Sequence, residues 1–240
     1  MNKKLARKTL VARTVAALVL ASSLAVLTTQ GVAADQPSAA SVPPPSSAPV
    51  PAGAYALDMS HTSLVFRVDH LSFSRYTGRF TKLDAKLQFD PVNPEKSSLL
   101  VEIDPKSIAA DGAPEGFMAA LAGKEWLDAD RFPKITYRST KVEKVGAKGL
   151  RITGDFTLHG VTKPLVLNAT YNGGYAGHPF DPHARIGFSA TGKLKRSDFG
   201  ISYGIPAPGS TMGVGDEVEI VIETEFTGPP LADAAKSGTQ

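Results

Sequence analysis

The sequence predicts an all-β domain in which antiparallel strands form either a closed barrel or a two-sheet sandwich, with one short helix. Three observations support this fold class. Apolar and polar residues alternate with period two in eight segments, so that each segment has one dry face and one wet face. Turn-forming Gly, Pro, Asn and Asp separate most of these segments, and a single connection has an apolar pattern suited to a helix. Closure into a barrel would also remove exposed strand edges.

The alternation is clearest in three segments, at residues 83–89, 150–158 and 217–226. In the last of these, Val218 and Ile220 alternate with glutamates, which predicts a strand with one buried face. Five further strands are predicted from weaker alternation, at residues 63–70, 97–103, 135–143, 163–171 and 185–194. The short helix is predicted within residues 114–124.

The chain is predicted to have four parts. Residues 1–34 are typical of a secretory signal peptide, because five basic residues precede a short apolar run and small residues that suit cleavage. Residues 35–53 form a linker rich in Pro, Ala and Ser, residues 54–228 form the folded domain, and residues 229–240 form a flexible tail. Export follows from the signal peptide, and no transmembrane segment is expected in the mature protein.

Charge and cysteine content exclude several classes of function. The predicted signal peptide has 5 of the 26 Lys and Arg residues and none of the 23 Asp and Glu residues, so the remainder has 21 basic against 23 acidic side chains. The mature protein is therefore slightly acidic, and no nucleic-acid partner is expected. The chain has no Cys, which excludes thiolate metal sites, cysteine nucleophiles and disulfide chemistry.

Several short motifs occur in order along the domain. They include SHTS at residues 60–63, VFRVDHL at residues 65–71, GDFTLHGVTKP at residues 154–164 and RSDFG at residues 196–200. In these motifs and their order, the domain resembles the YceI family. The resemblance implies an eight-stranded antiparallel, lipocalin-like barrel whose elongated apolar cavity accommodates a polyisoprenoid lipid. It also implies a periplasmic binding or carrier protein. A homodimeric assembly stays open.

The expected ligand is a quinone or a polyprenyl phosphate, and no catalytic residue, cofactor or metal is predicted. The residues expected to line the cavity are bulky and apolar: Phe66, Val68, Phe80, Leu87, Phe89, Val101, Phe117, Leu121, Trp126, Phe132, Tyr137, Ile152, Phe156, Leu167, Phe188 and Phe226. Four basic or titratable residues are the candidates for binding a polar head group at a barrel opening: His61, Arg67, His70 and Arg196.

Other interpretations of the same residues stay open. His61 or His70 could act as the base of an enzyme that modifies an isoprenoid lipid. A small outer-membrane barrel would show the same alternation with its apolar face turned to lipid. Three local patterns are weaker: a metal site around Asp181 in residues 177–183, a nucleophile elbow at residues 187–191, and a glycine-rich lid at residues 209–215.

Overall fold

The computed structural model describes residues 44–45 and 47–231, and this part contains ten β-strands and one α-helix. The elements are β1 (Gly53–His70), β2 (Ser74–Phe80), β3 (Leu83–Phe89), β4 (Ser98–Ile103), β5 (Ile108–Ala109), α1 (Phe117–Ala122), β6 (Ile135–Val145), β7 (Gly149–Leu158), β8 (Val161–Tyr175), β9 (His183–Lys195) and β10 (Val214–Pro230). Three short 3₁₀ turns lie between them, at Pro94–Lys96, Pro105–Ser107 and Arg196–Phe199.

Eight of the strands close into an antiparallel barrel. Their order is β10, β9, β8, β7, β6, β4, β3 and β1, and β1 pairs again with β10. The eight predicted strands correspond to these eight, so the predicted barrel is confirmed and the sandwich is excluded. We call the end at which β1 begins the lower end, and the end at which β1 finishes, near His70, the upper end.

Two strands outside the eight were not predicted. The upper half of β1 pairs with β2, while its first four residues pair with β3, so one long strand serves two neighbours. β2 in turn pairs with the two-residue β5. β2 lacks a clear alternation because Gly78 occupies an inward position, where an added Cβ atom would collide with the ring of Phe66.

The ordered strands extend slightly past the predicted domain of residues 54–228. β1 begins at Gly53, and β10 continues to Pro230. The predicted signal peptide lies outside the described residues, and the predicted linker and tail are described only in part. No helix within residues 44–45 and 47–231 is long and apolar enough to cross a membrane.

The interior has two clusters of buried side chains. Near the upper end, Phe156 and Phe199 meet edge to face at 5.5 Å between ring centroids. Near the lower end, Phe89 and Phe188 pack at 5.9 Å, and Phe226 lies 6.2 Å from Phe188. Buried aromatic rings therefore pack across the lower end of the barrel.

The outer wall of the barrel has polar and charged side chains, as at a bulge in β1. Between the pairs Asp58 with Glu225 and Ser63 with Glu223, β1 bulges outward. Asp58 holds this bulge by accepting hydrogen bonds from the backbone N–H and the hydroxyl of Ser60. Arg185 bonds the same carboxylate, and the hydrogen bonds from the Ser60 hydroxyl and from Arg185 keep the pKa of Asp58 well below its usual range.

Candidate ligand cavity

The inward faces of the strands enclose a cavity of about 560 Å³. Its lining comes from all eight barrel strands, from β2 and from α1, together with adjoining connections. The side chains are almost all aliphatic or aromatic, and the described lining contains no carboxylate. Arg196 is its single Lys or Arg side chain. The core of this protein is therefore a hollow apolar chamber.

Fifteen of the sixteen residues predicted to line a cavity do border this one. They are Phe66, Val68, Phe80, Leu87, Phe89, Val101, Phe117, Leu121, Trp126, Tyr137, Ile152, Phe156, Leu167, Phe188 and Phe226. Contact between these side chains and a ligand stays a prediction.

Phe132 is the exception, and its predicted place was wrong. Its ring packs against the His159 imidazole, at 4.8 Å between ring centroids, and the guanidinium carbon of Arg131 lies 5.0 Å from it. It also covers Gly160, in the left-handed turn between β7 and β8. Phe132 belongs to the connection before β6, which has no strand period, and its ring packs on the turn between β7 and β8 instead of lining the cavity.

Two of the four head-group candidates also lie outside the cavity. Arg67 is between the inward-facing Phe66 and Val68, so alternation turns it outward, where its Nη1 atom lies 3.8 Å from Glu219. His61 lies in the bulge, 57% exposed, with its Nδ1 atom 3.0 Å from Asp58. Both positions correct the prediction, since neither side chain reaches the interior.

The other two candidates, His70 and Arg196, border the cavity at the upper end. His70 is the last residue of β1 and is exposed to solvent. A residue that is both exposed and part of the lining indicates that the chamber reaches the surface here. We call this opening the mouth.

Arg196 is buried, with 4% of its surface exposed, and it is bonded to backbone carbonyls. Its Nε atom donates to Gly215 at 2.9 Å, Nη2 to Val214 at 2.8 Å, and Nη1 to Tyr203 at 2.7 Å and to Ile201 at 3.2 Å. Burial lowers the pKa of the guanidinium, yet a guanidinium stays charged in proteins. Four of its five N–H groups bond carbonyls, two in the connection after β9 and two at the start of β10, so Arg196 acts chiefly as a positioning residue.

Trp126 and the predicted lid complete this end of the cavity. The Arg196 guanidinium carbon lies 5.1 Å from the Trp126 ring, which is a cation–π distance. Within the predicted lid at residues 209–215, the carbonyl of Gly213 accepts a hydrogen bond from the Leu71 N–H at 3.0 Å. The segment therefore lies beside the mouth, and its movement stays a prediction.

Tyr76 is a cavity residue that the sequence analysis missed. Its hydroxyl is buried and has no hydrogen-bond partner within the described part of the chain. Its ring meets Phe117 of α1 edge to face at 5.8 Å. Burial raises the pKa of Tyr76, so the hydroxyl keeps its proton and can donate it to an acceptor. The spacing of Tyr76, Gly78 and Phe80 was the available sequence signal for an inward face.

The weaker local patterns do not assemble reactive sites. In residues 177–183, the Asp181 carboxylate is bonded to Arg185 and accepts a hydrogen bond from the Tyr175 hydroxyl at 3.2 Å. Residues 187–191 lie within β9 without a sharp turn, and the Ser189 hydroxyl donates to Glu223. The nucleophile-elbow hypothesis is therefore wrong.

One group of potential metal ligands occurs in the part of the chain that the structure describes. Asp58, His61 and Glu225 each place one ligand atom within 4.8 Å of the others. Arg185 already lies among them, with Nη1 bonded to Asp58 and 3.6 Å from Glu225. Because a guanidinium already neutralises these carboxylates, the geometry favours an ion-pair network over a metal site.

Comparisons with known proteins agree with the fold and the motifs. The model of the YceI-like domain matches residues 55–226. A UPF0312 protein of Vibrio cholerae is 34% identical over 176 residues, which cover 72% of this chain and 87% of the relative. A UPF0312 protein of Pseudomonas savastanoi is 36% identical over 164 residues, which cover 67% of this chain and 80% of the relative.

Solved structures show the same architecture. The crystal structure of a Campylobacter jejuni YCEI protein is 30% identical and covers 67% of this chain and 90% of that chain, with a TM-score of 0.58. Burkholderia cenocepacia BcnA is 24% identical and covers 70% of this chain and 98% of that chain, with a TM-score of 0.60, and this likeness shows the fold alone. From its motifs, its closed barrel and the extent of these matches, the chain belongs to the YceI-like family.

Proposed function

We propose that this protein is a periplasmic binding or carrier protein that holds one long polyisoprenoid lipid in its barrel. The observation that carries the proposal is the apolar chamber of about 560 Å³, which lies within the usual range of roughly 300–1,000 Å³ for ligand pockets. Each methylene moved from water into such a chamber contributes about 0.8 kcal/mol. An isoprenoid chain therefore suits the lining better than any polar ligand.

The cost of an empty chamber supports the same proposal. An unfilled chamber of about 560 Å³ leaves its lining side chains without packing partners, so the filled protein should be more stable than the empty one. Water is a poor filler for the empty chamber, because a buried water needs about two to four polar partners and the lining offers few.

The direct test is the lipid content of the protein. Protein purified without detergent from cells that export it is expected to contain a long-chain isoprenoid at about one molecule per chain. Native mass spectrometry, followed by extraction and identification of the lipid, measures this ratio. Preparations that repeatedly emerge empty, and that fail to take up added long-chain isoprenoid, would contradict the proposal.

The two other classes of function have less support. An enzyme would need an oriented base, but His61 lies on the outer wall and His70 lies in a lining without a carboxylate. Turnover of a polyprenyl substrate that disappears in a His70→Ala variant would favour the enzyme. An outer-membrane barrel would face lipid with its outer wall, yet that wall has ion pairs such as Lys193 with Glu217.

The polar groups of the chamber favour an uncharged head group, as in a quinone, over a phosphate. Arg196 has most of its donors committed to carbonyls, whereas the Tyr76 hydroxyl is buried without a partner among the described residues. A quinone carbonyl would accept that hydrogen bond. A phosphate dianion would need several donors and a countercharge to offset its desolvation.

A Tyr76→Phe variant separates this role from a structural one. We expect affinity for a long-chain quinone to fall about five- to tenfold, which corresponds to one hydrogen bond of roughly 1 kcal/mol. Affinity for squalene, which has no head group, should change less than about twofold. The comparison uses fluorescence titration of delipidated protein, with Tyr203→Phe as the control at the same end.

The second measurement on the Tyr76→Phe variant is its stability. Because the hydroxyl makes no hydrogen bond within the described structure, its removal should leave the free energy of unfolding of the empty protein unchanged within about 0.5 kcal/mol. An equal loss of affinity for quinone and squalene would contradict the assignment of Tyr76 to the head group.

A further inference from the structure

Three large apolar side chains are exposed at the upper end of the barrel. Phe73 is 81% exposed, Met212 is 73% exposed and Tyr203 is 53% exposed. We call these three residues the mouth rim. Single exposed apolar residues are common on protein surfaces and need no explanation, but a group around one opening is informative.

Each residue of the mouth rim is connected to a residue that lines the cavity. The Phe73 N–H donates to the carbonyl of His70 at 3.0 Å, and the Tyr203 ring lies 5.4 Å from that of Trp126. Met212 comes two residues before Val214, which also borders the cavity. The contact between Tyr203 and Trp126 therefore continues the apolar lining outward through the mouth, and Phe73 and Met212 lie within three residues of lining residues on either side.

The turn that presents Phe73 has an unusual backbone. Leu71 and Ser72 have φ values of 59° and 58°, in the left-handed region that non-glycine residues rarely adopt. Two contacts hold this conformation: the Ser72 N–H donates to Asp69 at 2.9 Å, and the Leu71 N–H donates to Gly213. The second contact joins this turn to the segment that contains Met212. Strained backbone conformations of this kind cluster at functional sites.

We propose that the mouth rim inserts into the surface of a lipid bilayer, so that an isoprenoid passes between membrane and cavity without crossing water. This inference rests on the proposed function, because a ligand of that kind resides in membranes. An aromatic ring with a polar edge, such as Tyr203, is suited to the interfacial layer of a bilayer. Phe73 and Met212 supply apolar side chains that enter more deeply.

The charges beside the mouth rim indicate how the contact forms. Arg75, on the strand that follows Phe73, has its Nη1 atom 2.6 Å from Glu219, and Arg67 approaches the same carboxylate at 3.8 Å. Asp69 is the register partner of Arg75, so these two arginines face two carboxylates and little net charge remains to attract anionic lipid. Binding is therefore driven by apolar burial and should depend only weakly on salt.

The test is flotation with vesicles, using protein purified from the exporting cell. Vesicles of phosphatidylcholine, and of phosphatidylethanolamine with phosphatidylglycerol, are each mixed with wild type and with a Phe73→Ser/Met212→Ser double variant. We expect the double variant to bind both vesicle types at least about tenfold more weakly, because two apolar side chains no longer enter the bilayer. Raising the salt concentration should change wild-type binding less than about threefold.

Phe180→Ser is the matched control, since Phe180 is 76% exposed at the lower end of the barrel. It should bind vesicles like wild type, and all three proteins should keep the same melting temperature. Failure of wild type to bind vesicles, or an equal loss in the Phe180→Ser variant, would overturn the proposal. Self-association that disappears only in the double variant would instead assign the mouth rim to a second copy of the chain.

The lipid content of the same samples distinguishes the two proposals. Wild type that contains isoprenoid but does not bind vesicles overturns the membrane contact and leaves the binding function standing. Wild type that binds vesicles through the mouth rim but never contains or accepts an isoprenoid supports the contact and contradicts the binding function.

Discussion

Replacing Ala190 with Trp is expected to abolish lipid binding while the barrel still folds. Ala190 borders the cavity from β9 and lies directly opposite Ala169 of β8, which is also part of the lining. Two facing alanines leave the chamber wide at this level. An indole there would displace several methylene groups of the ligand at about 0.8 kcal/mol each, so affinity should fall by about 100-fold or more.

Thr191→Trp is the matched control for this experiment. Thr191 is the next residue of β9, is exposed, and points away from the interior. Lipid content by native mass spectrometry, together with titration of delipidated protein, should be normal in Thr191→Trp and lost in Ala190→Trp. Full lipid content in Ala190→Trp would show that the ligand does not occupy the middle of the barrel.

Replacing Arg196 with Met is expected to cause the largest loss of stability. The guanidinium is buried and satisfies four backbone carbonyls, at Ile201, Tyr203, Val214 and Gly215. Met fills a similar space without a donor, so these carbonyls would be left unpaired or exposed to water. We expect the free energy of unfolding, measured in urea, to fall by about 3 kcal/mol or more.

Two further variants test the explanation for Arg196. Lys195→Met removes an exposed charge from the preceding position and should change stability by no more than about 0.5 kcal/mol. Arg196→Lys keeps the charge but offers a compact ammonium with three donors, so an intermediate loss is expected. Full stability in Arg196→Lys would show that charge, rather than the hydrogen bonds to the loop, is what the site requires.

The barrel strands could be predicted because each has one face in the chamber and one in water. That arrangement preserves the period of two in the sequence, as in β10, where Val218 and Ile220 border the cavity. β2 was not predicted because Gly78 interrupts its apolar face. The glycine makes room there for the ring of Phe66. β5 is only two residues long and has no period to detect.

The same rule explains why some head-group candidates were placed wrongly. Arg67 falls between the inward-facing Phe66 and Val68, so alternation argues against its prediction as a head-group candidate. His61 lies in a bulge, where the register shift breaks the period and sequence spacing no longer indicates a face. Arg196 donates hydrogen bonds to carbonyls of other segments, whereas the Tyr76 hydroxyl is buried without a partner among the described residues. No sequence pattern predicts whether such a group has a partner.

The anchoring of the loop by Arg196 has a consequence for how relatives of this protein can diverge. The guanidinium donates hydrogen bonds only to main-chain oxygens, so these bonds do not depend on which side chains the residues between β9 and β10 have. The exposed side chains of this connection can be exchanged without loosening the attachment, whereas Phe199 and Ile201 are buried in the core. A family with this anchor can therefore vary the surface around the entrance while the frame beneath it stays constant.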